Sequence, residues 1–292
     1  MSGGSSKAVA SAFQAEGEGS IPSSRSIYII GGGIFGQVAA DFLRAEGIHD
    51  ITIIDSGEKY AATPCSGNIT KPSWITGLGD AAKLAYKDLD RLYGLIPVEA
   101  NAPFGRKIQL FTVPQFKSLG NGKAIEIGNG WAKVDYGGAV VEHKGVILVA
   151  AGVWSGGLVS MPSIEKIVGI SLTFLERNKP AQFSLWAPYK QSISYQCSDT
   201  EVWFGDGTAI KVSRFWEPER VSASIKRAES HGLFLNSLNK TNIGYRPYVK
   251  GYKNGYFARV YENTWVSTGG GKNGIVLATV QARKFWEELK QL

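Results

Sequence analysis

Ile27-Tyr28-Ile29-Ile30-Gly31-Gly32-Gly33-Ile34-Phe35-Gly36 is the stretch that decides the fold. Its four apolar residues have the length and composition of a buried strand, and they run straight into a glycine turn. The spacing predicts a helix over about Phe35 to Glu46, with Val38, Ala39, Phe42 and Leu43 on one face and Gly47 as its stop. A second strand, Ile51 to Ile54, ends at Asp55, 19 residues beyond Gly36. Strand, glycine turn, helix, strand and acid together form the Rossmann βαβ fingerprint for a dinucleotide. Gly31 permits the tight turn, Gly33 lets a pyrophosphate approach the backbone, and Gly36 lets helix and strand pack closely. The helix start at Ile34 and Phe35 offers N–H groups to the phosphates. Asp55 is placed to accept hydrogen bonds from the adenosine ribose.

Working outward, an amphipathic helix is expected over about Asp80 to Tyr93, after a loop from Ala61 to Thr76. Strand-like pieces follow from Ile108 to Val134, with turn signals at Gly120-Asn121-Gly122 and Gly128-Asn129-Gly130. A hairpin near Gly137-Gly138 leads into Val146 to Val149, another buried strand, which closes on Ala150-Ala151-Gly152. Alternating patterns from Ile167 to Ile210 suggest an antiparallel sheet, and a helix is expected over Pro218 to His231. Near the end, Trp265 to Thr268 reads as a strand leading through Gly269-Gly270-Gly271-Lys272-Asn273-Gly274 into a terminal helix. The fold class is therefore α/β: a discontinuous Rossmann-type domain with a smaller mixed or antiparallel-sheet domain. The expected division is a disordered leader over 1–25, the first part of the dinucleotide domain over 26–155 with a short excursion near 94–125, a substrate domain over 156–240, and the last dinucleotide-domain part over 241–292.

Composition narrows the function classes. No stretch approaches the roughly 20 apolar residues of a membrane span, and the first 24 residues lack the basic and apolar regions of a secretory signal, so a cytoplasmic protein is expected. Cys65 and Cys197 are expected as free thiols, no Cys/His spacing suggests a metal, and the three histidines are scattered. The net charge of +7 favours an anionic partner. Tyr245 to Arg259 carries four cations, five aromatics and no acid, and Trp203, Phe204, Lys211, Arg214, Phe215 and Trp216 form a second mixed stretch. Such interleaving suits phosphate contacts with base stacking, although most of the aromatics are expected as core or strand residues.

The order of motifs resembles the D-amino-acid oxidase superfamily of FAD enzymes, especially its glycine oxidase and sarcosine oxidase branch. The resemblance runs from Ser26 onward. It rests on Ile29 to Gly36 with Asp55, on Ala61-Ala62-Thr63-Pro64-Cys65-Ser66-Gly67, on Val149 to Ser155, on Ile243-Gly244-Tyr245-Arg246-Pro247, and on Thr268 to Ile275. It implies non-covalent FAD held by Gly31, Gly33, Ile34, Phe35, Gly36, Asp55, Ser66, Ala151, Gly152, Gly270, Gly271, Asn273 and Gly274. Arg246 matches the arginine that forks a substrate carboxylate, and Lys272 falls where relatives carry a second cation. The implied activity is amine oxidation by hydride transfer to the flavin with imine hydrolysis and oxygen as electron acceptor. The chain departs from the family in having Lys250-Gly251 where an Asp-Gly is usual, and in a trimmed region between Tyr93 and Val134. Flavoproteins of the same superfamily act on amines attached to tRNA wobble uridine or hypermodified thymine, so a free amino acid and a nucleic-acid-linked amine both stay open. A dehydrogenase sharing only the Rossmann unit and a non-catalytic dinucleotide-binding protein are the other readings.

Overall fold

The computed structural model describes residues 25–72, 77–114, 116, 119–187, 190–214 and 217–292. All but residue 25 of the expected leader over 1–25, and Phe215 and Trp216 of the second mixed stretch, lie outside the described residues.

The opening unit folds as β1 (Ile27–Ile30), α1 (Ile34–Ala45) and β2 (Ile51–Ile54). β1 pairs in parallel with β2 on one side and with the later Val146–Val149 strand on the other. Helix α2 spans Asp80–Tyr93 and is followed by β4 (Ile96–Ala102) and β5 (Arg106–Thr112), with the short β3 (Ile69–Thr70) before it. A meander of β6 (Lys123–Gly128), β7 (Trp131–Asp135) and β8 (Val140–Lys144) precedes β9 (Val146–Val149). The second half contains β10 (Ile164–Leu175), β11 (Gln182–Ala187), β12 (Lys190–Ser198), β13 (Glu201–Gly205) and β14 (Ile210–Lys211). α3 (Glu217–Glu229), β15 (Leu238–Val249), β16 (Tyr256–Tyr261), β17 (Thr264–Thr268) and α4 (Gly274–Leu289) complete the chain.

Among the described residues these strands form three sheets. The dinucleotide sheet has the order β16-β17-β9-β1-β2, parallel except for β16. Period-two alternation decides its faces. Ile27, Ile29, Val146 and Leu148 point into a core with α1, α2 and α4, while Ile30, Ile147 and Val149 meet Ile127, Ala132 and Val134 of the meander. Both faces are covered, which is why its inner strands read as continuous apolar runs. Gly36 makes the helix-on-strand contact close: a Cβ there would stand 1.9 Å from the Gly31 carbonyl oxygen.

The large mixed sheet runs β14-β10-β13-β12-β11-β4-β5-β3, with β15 on the other edge of β10. Its apolar face, including Ile170, Leu172, Phe174, Val202 and Phe204, packs under Ala228 of α3 and Leu233. Residues 238–249 belong to this sheet, because β15 is hydrogen-bonded along nearly its whole length to β10. The sequence division at 241 therefore falls inside β15, and the 94–125 excursion enters the same sheet as β4 and β5.

Candidate functional site

Two adjoining cavities lie where the sheets meet. The larger, about 370 Å³, opens at the carboxyl ends of β1, β2 and β9, the position at which open α/β sheets bind ligands. Gly31, Gly33, Ile34, Phe35, Asp55, Ala151, Gly152, Gly270, Gly271 and Gly274 all line it. Helix α1 begins there with Gly33 as N-cap and no capping side chain. The Thr63 hydroxyl accepts the Ile34 amide at 2.9 Å, fixing the small-residue loop against the helix start. Helix α4 begins beside it, also without a side-chain cap bond, and Phe35 sits so close that a Cβ on Gly270 would come within 2.7 Å of its ring. Two helix N-termini thus converge on one cavity, each with its positive dipole end inward.

The smaller cavity, about 200 Å³, shares Ile34, Ala62, Thr63, Gly271 and Gly274 with the larger one. Ser66 and Arg246 line it. Gly36 and Asn273 line neither cavity: Gly36 packs helix to strand, and the Asn273 amide closes the turn on Gly270 at 2.9 Å. Lys272 lies in that turn, but its side chain lies outside the described residues.

Arg246 sits on β15 opposite Ile167, with its guanidinium across the neighbouring Gly169 of β10. Alternation along β15 sends Tyr245 and Pro247 to the larger cavity and Arg246 to the smaller. Arg246 has no hydrogen bond or salt bridge to any described residue; protein surrounds it except where it faces the cavity. Burial pulls its pKa below the ordinary value, and the nearby Asp206 and Cys65 act in the opposite sense. Asp206 is fully buried and is itself bonded to Arg227, Ser224 and Thr208. Burial pushes the Cys65 thiol up to about 11, so it is neutral near pH 7 and supplies no countercharge. Among the described residues no anion is hydrogen-bonded to Arg246, and Asp206 offsets its charge only from a distance.

The remaining wall was not assigned from the sequence. Trp203, part of the second mixed stretch, stands on β13 with its six-membered ring between Gly67 and Gly205 and lines the smaller cavity. Gln191 and Ile193 of β12 line it too. These residues come from separate strands, so no local signal marks them. Lys211, from the same mixed stretch, pairs with Glu165 at 2.8 Å. Among the described residues no cluster of His, Cys, Asp and Glu could hold a metal, and no helix is long and apolar enough to cross a membrane. Cys65 and Cys197 are free thiols.

No family model and no curated protein sequence matches the chain. Solved structures do match it. Glycine oxidase from Bacillus cereus superposes with a TM-score of 0.64 at 14% identity, covering 92% of this chain and 98% of that one. Glycine oxidase from Geobacillus kaustophilus gives 0.65 at 14% identity over 91% and 95%. Iminodiacetate oxidase from Chelativorans sp. BNC1 gives 0.59 at 14% identity over 88% and 93%. Across this identity range it is the architecture that is shared: a Rossmann-type domain beside a large mixed sheet.

Proposed function

We propose that the protein is an FAD-dependent amine oxidase that holds FAD non-covalently in the larger cavity and a carboxylate-bearing amine in the smaller one. The observation that carries this reading is the Arg246 guanidinium, unbonded among the described residues and aimed into a cavity that adjoins a dinucleotide cradle. A guanidinium fork matches a carboxylate in bidentate geometry, and the bond strengthens in a water-poor pocket. Glycine oxidase and iminodiacetate oxidase, with the same fold, are named for amines that carry carboxylates.

The residues present fit FAD. The start of α1 at Gly33 to Phe35, where Thr63 holds the Ile34 amide, suits the pyrophosphate, Asp55 the adenosine ribose, and Ala151, Gly152, Gly270, Gly271 and Gly274 the flavin side. No cysteine lines the larger cavity, which supports non-covalent attachment. When bound, FAD supplies a two-electron acceptor, and oxygen is the proposed oxidant that regenerates it. The chain's own contribution is positional: Arg246 fixes the carboxylate and thereby the adjacent amine-bearing carbon, with Lys272 as a second cation. Ser66, lining the smaller cavity, accepts the Asn68 amide at 3.1 Å and so helps to fix the loop whose Ala62 and Thr63 line both cavities.

Anaerobic mixing with glycine, sarcosine, iminodiacetate and D-amino acids tests the reading. The expected result is flavin bleaching by a carboxylate-bearing amine and none by the matching amine without a carboxylate. A colourless protein that cannot be reconstituted with FAD overturns it.

A second reading, in which the amine is attached to a nucleic-acid base, is favoured by one feature. Tyr60 and Tyr245 stack at 4.9 Å beside the larger cavity, flanked by Lys59 and Lys166 at 5.2 and 5.9 Å from the rings. Aromatic faces with adjacent cations suit single-stranded nucleic acid. Binding of an oligonucleotide that weakens steeply with salt supports it, and salt-insensitive or absent binding removes it.

A further inference from the structure

The loop entering β6 does more than turn the chain. Five hydrogen bonds tie residues 119–122 to the end of β2, more than 60 residues away in sequence. Asn121 Oδ1 accepts the Asp55 amide at 2.8 Å, and its Nδ2 donates to the Ile53 carbonyl at 2.9 Å. The Asn121 and Gly122 amides donate to the Asp55 carbonyl at 2.8 and 3.2 Å. The Leu119 amide donates to Asp55 Oδ2 at 2.9 Å. On the opposite side Gly32 stands so close that a Cβ there would lie 2.9 Å from both Cβ and Oδ2 of Asp55. β2 is the edge of its sheet, and Asn121 supplies that edge with both a donor and an acceptor, as a further strand would.

We infer that Asn121 is a positioning residue for the adenosine end of the cofactor, acting through Asp55. The inference rests on the FAD reading above. Backbone and side chain of Asp55 are held from both sides, with Gly32 as floor and the 119–122 loop as clamp. The clamp sets the carboxylate in one rotamer at the lip of the larger cavity, which Gly122, Lys123 and Ala124 also line. A carboxylate so restrained meets the ribose hydroxyl without first being ordered, which is the gain preorganisation brings to binding. The sequence shows Gly120-Asn121-Gly122 only as a turn. Its second role comes from the pairing with β2.

The test is titration of the apoprotein with FAD and with the FAD analogue lacking the adenosine ribose 2′-hydroxyl, read by flavin fluorescence, alongside the melting temperature of the apoprotein. Wild type is expected to prefer FAD by about tenfold, the size of one hydrogen bond to a charged group. Asn121→Ala is expected to bring the two affinities to within about twofold, chiefly by weakening FAD. Asn121→Asp keeps the acceptor for the Asp55 amide and serves where the alanine variant fails to fold; it is expected to lie between. Equal weakening of both ligands in the variants, with the preference kept, would show that Asn121 only caps the edge of β2 and overturn the inference. A wild type that binds both ligands equally also overturns it, while leaving the FAD reading intact. A wild type that binds neither overturns the FAD reading itself.

Discussion

The guanidinium of Arg246 lies directly on the backbone of Gly169: a Cβ built on that glycine would stand 2.2 Å from Nη2 and 2.4 Å from Cζ. The two residues sit on neighbouring strands of one sheet, Gly169 opposite Gly244 and Arg246 opposite Ile167. The glycine is what allows a large cation to lie flat at the floor of the smaller cavity. Carbon contacts settle near 3.5 to 4.0 Å, so any side chain at 169 lifts the guanidinium by roughly 1 Å or more. Gly169→Ala is therefore expected to raise the KM for carboxylate-bearing amines about 10- to 100-fold, the range set by losing a charge-assisted hydrogen bond. Gly169 lies in an ordinary strand, so the melting temperature should change little. Steady-state kinetics and a thermal melt check both halves, and an unchanged KM removes Arg246 from the carboxylate site.

Gly36 offers a sharper steric test of the cofactor cradle. Its missing Cβ would lie 1.9 Å from a backbone carbonyl, which cannot swing aside as a side chain can. Gly36→Ala is expected to push α1 off β1, destabilise the fold by about 2 kcal/mol as overpacking does, and weaken FAD at least tenfold. Flavin content after purification and a denaturant titration read the two effects separately. Full flavin content in this variant would count against the α1 cradle.

These two glycines mark the boundary of what the sequence discloses. Gly36 was legible because strand, turn, helix and second strand follow one another within about 30 residues, so spacing alone assigned its contact. Arg246 was legible only by the order of motifs, since nothing local separates it from a surface arginine before a proline. Gly169, Asp206, Trp203 and Asn121 were not legible in their roles. Gly169 acquires its role from Arg246, brought in by strand register, Asn121 from Asp55 across more than 60 residues, and Asp206 from a helix about 20 residues on. Membership of β15 in the large sheet was hidden for the same reason, because pairing partners are a property of two distant segments.

Asp206 is expected to act against substrate binding and for stability. It is buried among Arg227, Ser224 and Thr208, and its charge also opposes that of Arg246. Asp206→Asn removes the buried carboxylate that Arg227, Ser224 and Thr208 bond to, which should destabilise the protein by about 3 kcal/mol. The same change removes a negative charge near Arg246, so the variant that still folds should bind carboxylate-bearing amines more tightly. Amines lacking a carboxylate should be unaffected. A melt together with KM values for the matched pair checks this, and parallel loss for both substrates would show general damage instead.

His231 gives a pH-dependent prediction independent of the cofactor. It is 2% exposed, with Nε2 at 3.0 Å from the Ser192 hydroxyl, Nδ1 at 2.8 Å from the Ser194 hydroxyl, and the Phe204 ring edge-on at 5.2 Å. Burial pushes its pKa down to about 4. The neutral ring thus donates to one serine and accepts from the other, tying the end of α3 to β12. In the unfolded chain the same group titrates near its ordinary value of about 6.5. Above that pH both states are neutral and the contribution to stability is complete. As pH falls from about 6.5 to about 4, the unfolded chain takes up a proton that the folded one refuses. Stability should then decline by about 1.4 kcal/mol per pH unit from this group, about 3 kcal/mol by its folded pKa. His231→Gln keeps a donor and an acceptor but cannot take up that proton. Denaturant titrations across pH 4 to 8 should show wild type losing its advantage over the variant in this window. A constant difference between the two proteins at every pH would contradict a buried neutral histidine.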